Sequence, residues 1–108
     1  MDFILRLIDI GFYEPESELM RQFDETFRRV IITGEGICHV YRYFDSRKRV
    51  CLGTLKEGSI KGETSVIFDS SPTYSVEAMS YCTIGVISKP NFKEFVDHFP
   101  EMKRFIID

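Results

Sequence analysis

The feature that most limits the fold of this chain is a succession of short strand-like runs separated by turns. The runs are rich in β-branched and aromatic residues or alternate apolar with polar residues, and Gly, Pro, Asp and Ser lie between them. Strands of this length and spacing are typical of a sandwich or a barrel. The predicted strands are residues 8–13, 19–23, 30–33, 37–44, 50–58, 73–78 and 82–86. Residues 24–29 are charged and are predicted to form a loop.

Helical signals lie at the two ends of the chain. Ser88 is a candidate cap, and Pro90 lies in the first turn that would follow, where the missing N–H costs little. The apolar residues then fall at i, i+3, i+4 and i+7, which predicts an amphipathic helix; they are Phe92, Phe95, Val96 and Phe99. Pro100 interrupts it, a second helix begins near Met102, and residues 1–7 are predicted as the tail of a further helix.

These patterns predict one mainly β domain of the α+β class over residues 1–108. The strands would form an antiparallel β-roll over about residues 8–88, with helices over about residues 89–108 gathered at one end. The chain starts and stops within structured-looking sequence, so we expect it to be a fragment of a larger protein.

Composition excludes several functions. A net charge of −3 argues against non-specific nucleic-acid binding, although a local site could still hold a small anion. No stretch is long enough to span a bilayer, and we expect no direct membrane contact. The basic residues near a hairpin tip, residues 45–49, are interpreted as a solvated turn.

No residue set suited to covalent chemistry is visible. Cys38, Cys51 and Cys82 are far apart, lie in apolar runs and are expected to be buried, reduced thiols. His39 and His98 lack neighbours at metal-ligand spacing, so we expect no metal and no catalytic residue. An enzyme on a cupin-like barrel is the alternative, but it would want a His-rich site inside the roll.

Residues 58–78 are the segment most suggestive of a ligand. Gly58 and Gly62 frame a short turn, Glu63 follows, and residues 64–68 could form one or two helical turns before an Asp-Ser-Ser-Pro loop. A helix that starts after a glycine directs free N–H groups outward, which suits a phosphate. The other interpretation is a tight turn with a surface glutamate.

The same segment resembles the phosphate cassette of the cyclic nucleotide-binding domain family, Gly-x-x-Phe-Gly-Glu followed at a set spacing by Arg-Thr-Ala-Ser-Val-x-Ala. Residues 58–63 and 72–78 match it at that spacing, and the match continues through residues 81–82, Ser88, Phe92 and residues 99–102. It is looser upstream, at residues 13–16 and 36–40. The sequence is most similar to cation-channel members of the hyperpolarisation-activated, cyclic-nucleotide-gated and ether-à-go-go types.

The resemblance implies an eight-stranded, jelly-roll-like β-roll with a short cassette helix and a final lid helix, which this chain would truncate. It implies a pocket for cAMP or cGMP in which Gly62 and Thr64 offer backbone N–H groups and Glu63 binds the ribose. Thr73 would contact phosphate or base. The sequence departs from the pattern at three positions: Lys61 replaces the cassette Phe, Pro72 stands at the Arg position, and Tyr74 replaces a small residue.

The expected function is a non-enzymatic regulatory module on the cytoplasmic side of a larger, channel-like membrane protein. Its nucleotide binding would be weak or lost, because a bidentate Arg–phosphate pair is the strongest contact in such a pocket. Its partners would be the rest of the parent protein, through the terminal helices, and further copies of that parent. The alternative is a functional cAMP- or cGMP-binding domain that holds its ligand with Glu63, the backbone of residues 62–64 and Lys61. It would belong to a channel, a kinase regulatory subunit or a transcription regulator.

Overall fold

The computed structural model describes residues 6–99. Its strands and helices are β1 (Asp9–Tyr13), β2 (Glu18–Met20), β3 (Arg29–Thr33), β4 (Cys38–Tyr43), β5 (Arg49–Leu55), β6 (Ile60–Lys61), α1 (Glu63–Ile67), β7 (Ser75–Ala78), β8 (Cys82–Ser88) and α2 (Lys89–His98). Arg6 and Leu7 are helical, in line with the predicted N-terminal helix. The remainder of that helix and the one predicted from Met102 lie outside the described residues.

The strands form two antiparallel sheets of four, in the orders β1-β8-β3-β6 and β2-β7-β4-β5. The first hydrophobic cluster fills the space between them and is made of Leu19, Met20, Ile31, Cys38, Val40, Leu55, Val76, Ala78, Cys82 and Ile84. This arrangement confirms the predicted eight-stranded β-roll with a short cassette helix.

A second hydrophobic cluster lies on the other face of the first sheet, beneath α2. Phe92 and Val96 of α2 pack there against Val30, Val66 and Ile87. Because Val30 faces this cluster and Ile31 faces the first, β3 is buried on both sides, as its continuous apolar run predicts. Neither helix has the length and hydrophobicity of a membrane span in the part of the chain described.

Several predictions about local structure need correction. The strand predicted over residues 50–58 ends at Leu55, and Ile60–Lys61, within the predicted turn, form β6. The second strand ends at Met20, and Phe23 instead adopts a positive φ of 65°. The predicted loop at residues 24–29 contains a short 3₁₀ helix, Glu25–Phe27, because Asp24 accepts the backbone N–H of Thr26 and so caps it. Arg29 then opens β3.

The prediction for the thiols was right for two of the three. Cys38 and Cys82 are buried, with their sulfur atoms 3.8 Å apart and no disulfide between them. Cys51 is exposed, contrary to the prediction. It lies on β5, an edge strand of the second sheet, where an apolar run is not covered by a further strand.

Candidate functional site

The backbone of Gly62 sets the geometry of the candidate site. Strand β6 pairs with β3 at Lys61 and Ile31, and Gly62 then turns the chain into α1 with a φ of 97°. A Cβ atom at Gly62 would overlap the carbonyl oxygen of Arg29 and lie 2.7 Å from the terminal methyl of Met20. Both the turn and the close approach to the Arg29 carbonyl of β3 therefore require glycine.

Helix α1 is a single short segment held at both ends. The hydroxyl of Ser65 donates a hydrogen bond of 3.0 Å to the carbonyl of Gly62, and the N–H of Phe68 bonds to the carbonyl of Thr64 at 3.0 Å. Val66 is fully buried in the cluster beneath α2, whereas Thr64 is exposed. The packing of Val66 thus fixes the face that α1 turns toward solvent.

The loop between α1 and β7 is held by three backbone carbonyls. The carbonyl of Pro72 accepts the N–H of Phe23 at 2.7 Å. The guanidinium groups of Arg28 and Arg42 donate to the carbonyls of Ser70 and Thr73, each at 3.2 Å. An ion pair between Lys89 and Asp69 joins the start of this loop to α2. The loop that carries Pro72 and Thr73 is therefore tied to several elements.

Tyr74 closes the site from the loop side. Its hydroxyl accepts a hydrogen bond of 3.1 Å from the backbone N–H of Gly62. Burial raises the pKa of Tyr74, and the negative charge of Glu63 raises it further, so the hydroxyl is neutral at pH 7. The ammonium group of Lys61 lies 5.8 Å from the centre of the tyrosine ring. One N–H at the start of α1 is thus already bonded to a side chain of the protein itself.

The space left at the site is small. A cavity of about 30 Å³ is lined by Met20, Gly62, Thr64, Ser65, Ser70, Ser71, Pro72, Thr73 and Tyr74. About 10–15 Å³ of such space holds one water, so the cavity has room for about two, far below the roughly 300 Å³ at which ligand pockets begin. The described residues that line this cavity include no arginine.

Five of the seven residues predicted for this site line the cavity: Gly62, Thr64, Pro72, Thr73 and Tyr74. Lys61 and Glu63 do not. Sequence reasoning missed Met20, Ser65, Ser70 and Ser71. The serines fall within the matched segment and could have been included on that ground. Met20 carried only the signal of a core strand, and its place here follows from how β2 packs beneath Gly62.

Glu63 has an unusual environment. One oxygen of its carboxylate, Oε2, is buried and has no hydrogen-bond partner among residues 6–99. A buried acceptor without a donor costs about 1–3 kcal/mol, and more when it is charged. Glu63 is therefore a carboxylate suited to accept a hydrogen bond from a neutral donor such as a hydroxyl.

The two histidines occupy ordinary positions. The Nδ1 atom of His39 lies 3.3 Å from the hydroxyl of Tyr41, and His98 is an exposed residue whose ring contacts Phe99 edge-on. Across the described residues no group of three His, Cys, Asp or Glu side chains has the arrangement of a metal site.

Comparison with known proteins finds one family. A family model described as "Cyclic nucleotide-binding domain" matches residues 11–99. No curated protein sequence matches.

Several solved structures share the fold at low sequence identity. The Catabolite Activator Protein of Thermus thermophilus superposes with a TM-score of 0.83 at 16% identity, over 92% of this chain and 46% of that one. The regulatory domain of Toxoplasma gondii PKA with cAMP gives 0.80 at 15% identity, over 94% of this chain and 41% of that one. An EAL enzyme in its cAMP-bound form gives 0.74 at 20% identity, over 82% and 23%. This chain therefore spans less than half of each.

Proposed function

The chain belongs to the cyclic nucleotide-binding domain family, and from this premise we propose that it is a regulatory module whose pocket is filled by its own Tyr74. In this proposal the module binds cAMP and cGMP weakly or not at all and serves a larger protein. It acts by a two-state movement of its terminal helices against the roll. The similarity of residues 58–78 to cation-channel members favours a channel-like parent, with the domain on its cytoplasmic side.

The observation that carries the proposal is the hydrogen bond from the Gly62 N–H to the Tyr74 hydroxyl. A phosphate held at the start of α1 would need this N–H, so it would have to displace the tyrosine. Displacement would also have to open a cavity that now has room for about two waters. The tyrosine thus competes with a nucleotide for both space and a donor.

Pro72 also supports weak nucleotide binding. A guanidinium matches a phosphate through two parallel hydrogen bonds, and Pro72 has no donor at all. By analogy with truncation of one partner of a buried charge pair, its absence costs about 2–5 kcal/mol. That corresponds to about a 30-fold to several-thousand-fold loss of affinity.

One observation favours a second candidate, a functional cAMP- or cGMP-binding domain. The buried Oε2 of Glu63 lacks a partner among the described residues, and a ribose hydroxyl would supply one. In this alternative Tyr74 swings out when the nucleotide enters, and Glu63 with the backbone of residues 62–64 holds the ligand.

Calorimetric titration with cAMP and with cGMP distinguishes the two. We expect the unmodified chain to bind at least about 30-fold more weakly than a Pro72→Arg/Tyr74→Ala variant, which restores the guanidinium and empties the cavity. Tyr74→Phe is the matched control. It frees the Gly62 N–H but keeps the ring, so it should gain little.

Micromolar binding by the unmodified chain would contradict the filled-pocket proposal and support the second candidate. In that case Glu63→Gln should weaken binding by about tenfold or more, because a charge-assisted hydrogen bond to the ribose would be lost.

A further inference from the structure

An open groove lies at the end of the roll where β1 ends and β8 begins. This aromatic groove has a volume of about 470 Å³ and is lined by Phe12, Tyr13, Glu14, Glu35, Tyr81, Cys82 and Thr83. The side chains of Phe12 and Tyr81 are 85% and 75% exposed, more than any other large hydrophobic residue that the structure describes. Paired exposed aromatic residues beside a concave surface mark a place where another molecule binds.

The charges of the aromatic groove indicate what kind of group it would accept. Glu14 and Glu35 are both exposed, and neither forms an ion pair with any residue in the described range 6–99. Carboxylates next to aromatic rings favour a Lys or Arg side chain, since the ammonium or guanidinium group gains both a counter-charge and a ring face. The groove is therefore suited to a basic segment that also carries apolar surface.

The chain carries such a segment at the turn between β4 and β5. This basic tip, residues 45–48, is pre-organised, because the carboxylate of Asp45 accepts the N–H groups of Arg47 and Lys48 at 2.7 and 2.9 Å. The side chains of Arg47 and Lys48 are exposed and, among described residues, form no ion pair. Phe44, directly before the tip, is 68% exposed.

Arg49, the next residue, is already engaged and does not belong to the tip. It bonds to Glu77 at 2.9 Å, and its guanidinium lies 3.8 Å from the centre of the Tyr41 ring. Asp45 offsets one of the two positive charges of Arg47 and Lys48, so the tip keeps a net positive charge on a chain whose net charge is −3.

The groove and the tip lie at opposite ends of β4. The Cys38 sulfur at the start of β4 is 3.8 Å from that of Cys82, which lines the groove, and the tip follows Tyr43 at the other end. Six strand residues span about 20 Å, so the tip of one copy cannot reach its own groove. We infer that the basic tip of one copy docks in the aromatic groove of a second copy, head to tail.

A head-to-tail contact is heterologous, so it builds a ring when the rotation closes. A four-residue tip in a groove buries far less than the about 1,200 Å² of a stable interface, so the contact is weak between free copies. It becomes effective when a parent protein holds several copies close together. This inference does not depend on whether cyclic nucleotide binds.

The exposed Cys51, three residues beyond the tip, permits a direct test. One sample of the chain carries a spin label on Cys51, and a second sample is ¹⁵N-labelled and carries no spin label. The two samples are mixed at millimolar concentration. We expect broadening of the amide signals of Phe12, Glu35 and Tyr81 in the ¹⁵N copy, weakening as salt is added. Broadening confined to other surfaces, or no broadening, would overturn the inference.

Charge reversal provides a second test of the contact between the tip and the groove. Arg47→Glu/Lys48→Glu reverses the tip and Glu14→Lys/Glu35→Lys reverses the groove. Each variant alone should lose at least about tenfold in self-association, because like charges then meet. When the spin-labelled tip variant is mixed with the ¹⁵N-labelled groove variant, association should be recovered, because an acidic tip then meets a basic groove. Loss without recovery in the mixture would contradict the tip-to-groove pairing, and melting curves establish that each variant is folded.

The matched controls change the net charge by the same amount, at exposed positions outside the tip and the groove. Lys56→Glu/Lys93→Glu corresponds to the tip variant, and Glu94→Lys/Asp97→Lys to the groove variant. Both should associate as the unmodified chain does. An equal loss in the controls would mean that net charge, and not the tip and groove, governs association, and would overturn the inference.

Discussion

Single residues determine what the candidate site can accept. Gly62 lets the chain leaving β6 pass the Arg29 carbonyl of β3 at a distance that no side chain could tolerate, and its N–H is bonded to the Tyr74 hydroxyl. Tyr74 in turn fills the space above α1. The backbone N–H of Gly62 and the phenol hydroxyl of Tyr74 thus satisfy each other at the start of α1.

Gly62→Ala should destabilise the chain by about 2–4 kcal/mol. The new Cβ would meet the Arg29 carbonyl, and φ at 97° is strained for any residue but glycine. Urea unfolding followed by circular dichroism measures the loss. Gly53→Ala is the control, since nothing lies within 4 Å of its added Cβ, and it should be neutral or slightly stabilising. Equal effects at both positions would contradict the close approach of Gly62 to the Arg29 carbonyl.

The three thiols should differ in reactivity. Burial raises the pKa of Cys38 to about 12, and Cys82 is buried beside it, whereas Cys51 is exposed. Iodoacetamide at pH 8 should therefore label only Cys51 in the native chain, and all three thiols after unfolding. Mass spectrometry of the peptides identifies the labelled residues. Rapid native labelling of Cys38 would mean that the two sheets open readily.

At the scale of elements, helix α2 combines residues that favour its formation with an apolar face that packs on the first sheet. Ser88 caps it by accepting the N–H of Asn91 at 3.4 Å, and Pro90 lies in its first turn. Its apolar stripe then covers the outer face of the first sheet through Phe92 and Val96. The same cluster holds Val66 of α1, so α2 also helps to fix the cassette helix.

Phe92→Ala should cost about 3–5 kcal/mol, because it removes a fully packed ring and leaves a cavity between α2 and the sheet. Urea denaturation gives the change in free energy of unfolding. The matched control is Phe68→Ala, since Phe68 is 57% exposed at the end of α1 and should cost less than about 1 kcal/mol. A small effect at Phe92 would show that α2 contributes little to stability.

At the scale of the whole molecule, the two hydrophobic clusters share one sheet. Neighbouring residues of β3 supply both, with Ile31 between the sheets and Val30 beneath α2. Loss of either cluster would expose one face of β3, and the other cluster depends on the same strand. The described part of the chain should therefore unfold as one cooperative unit.

We test this with one core substitution in each cluster. Leu19→Ala, between the sheets, and Phe92→Ala, beneath α2, should each lower the whole transition. Far-ultraviolet circular dichroism and tyrosine fluorescence should give coincident urea curves for both variants. Separate transitions for the two probes would show that the clusters unfold independently.

Local patterns were enough to predict most elements and the family. The alternation of apolar residues, the Gly and Pro turns and the stripe of Phe92 and Val96 act over a few residues, so they are visible in the chain itself. The segment around Gly62 and Glu63 likewise identified the family through its spacing. The 3₁₀ helix at Glu25–Phe27 was missed, although its cap, Asp24, was visible.

Only the tertiary structure decided the properties that depend on which strands become neighbours. Cys51 is exposed because β5 lies at a sheet edge, and an apolar run does not reveal its place in a sheet. The sequence shows that Tyr74 replaces a small residue of the family pattern, but its bond to the Gly62 N–H joins residues 12 positions apart that follow β6 and precede β7, strands of different sheets. Short-range propensity specifies the elements, whereas the burial of their faces against one another determines which side chains meet.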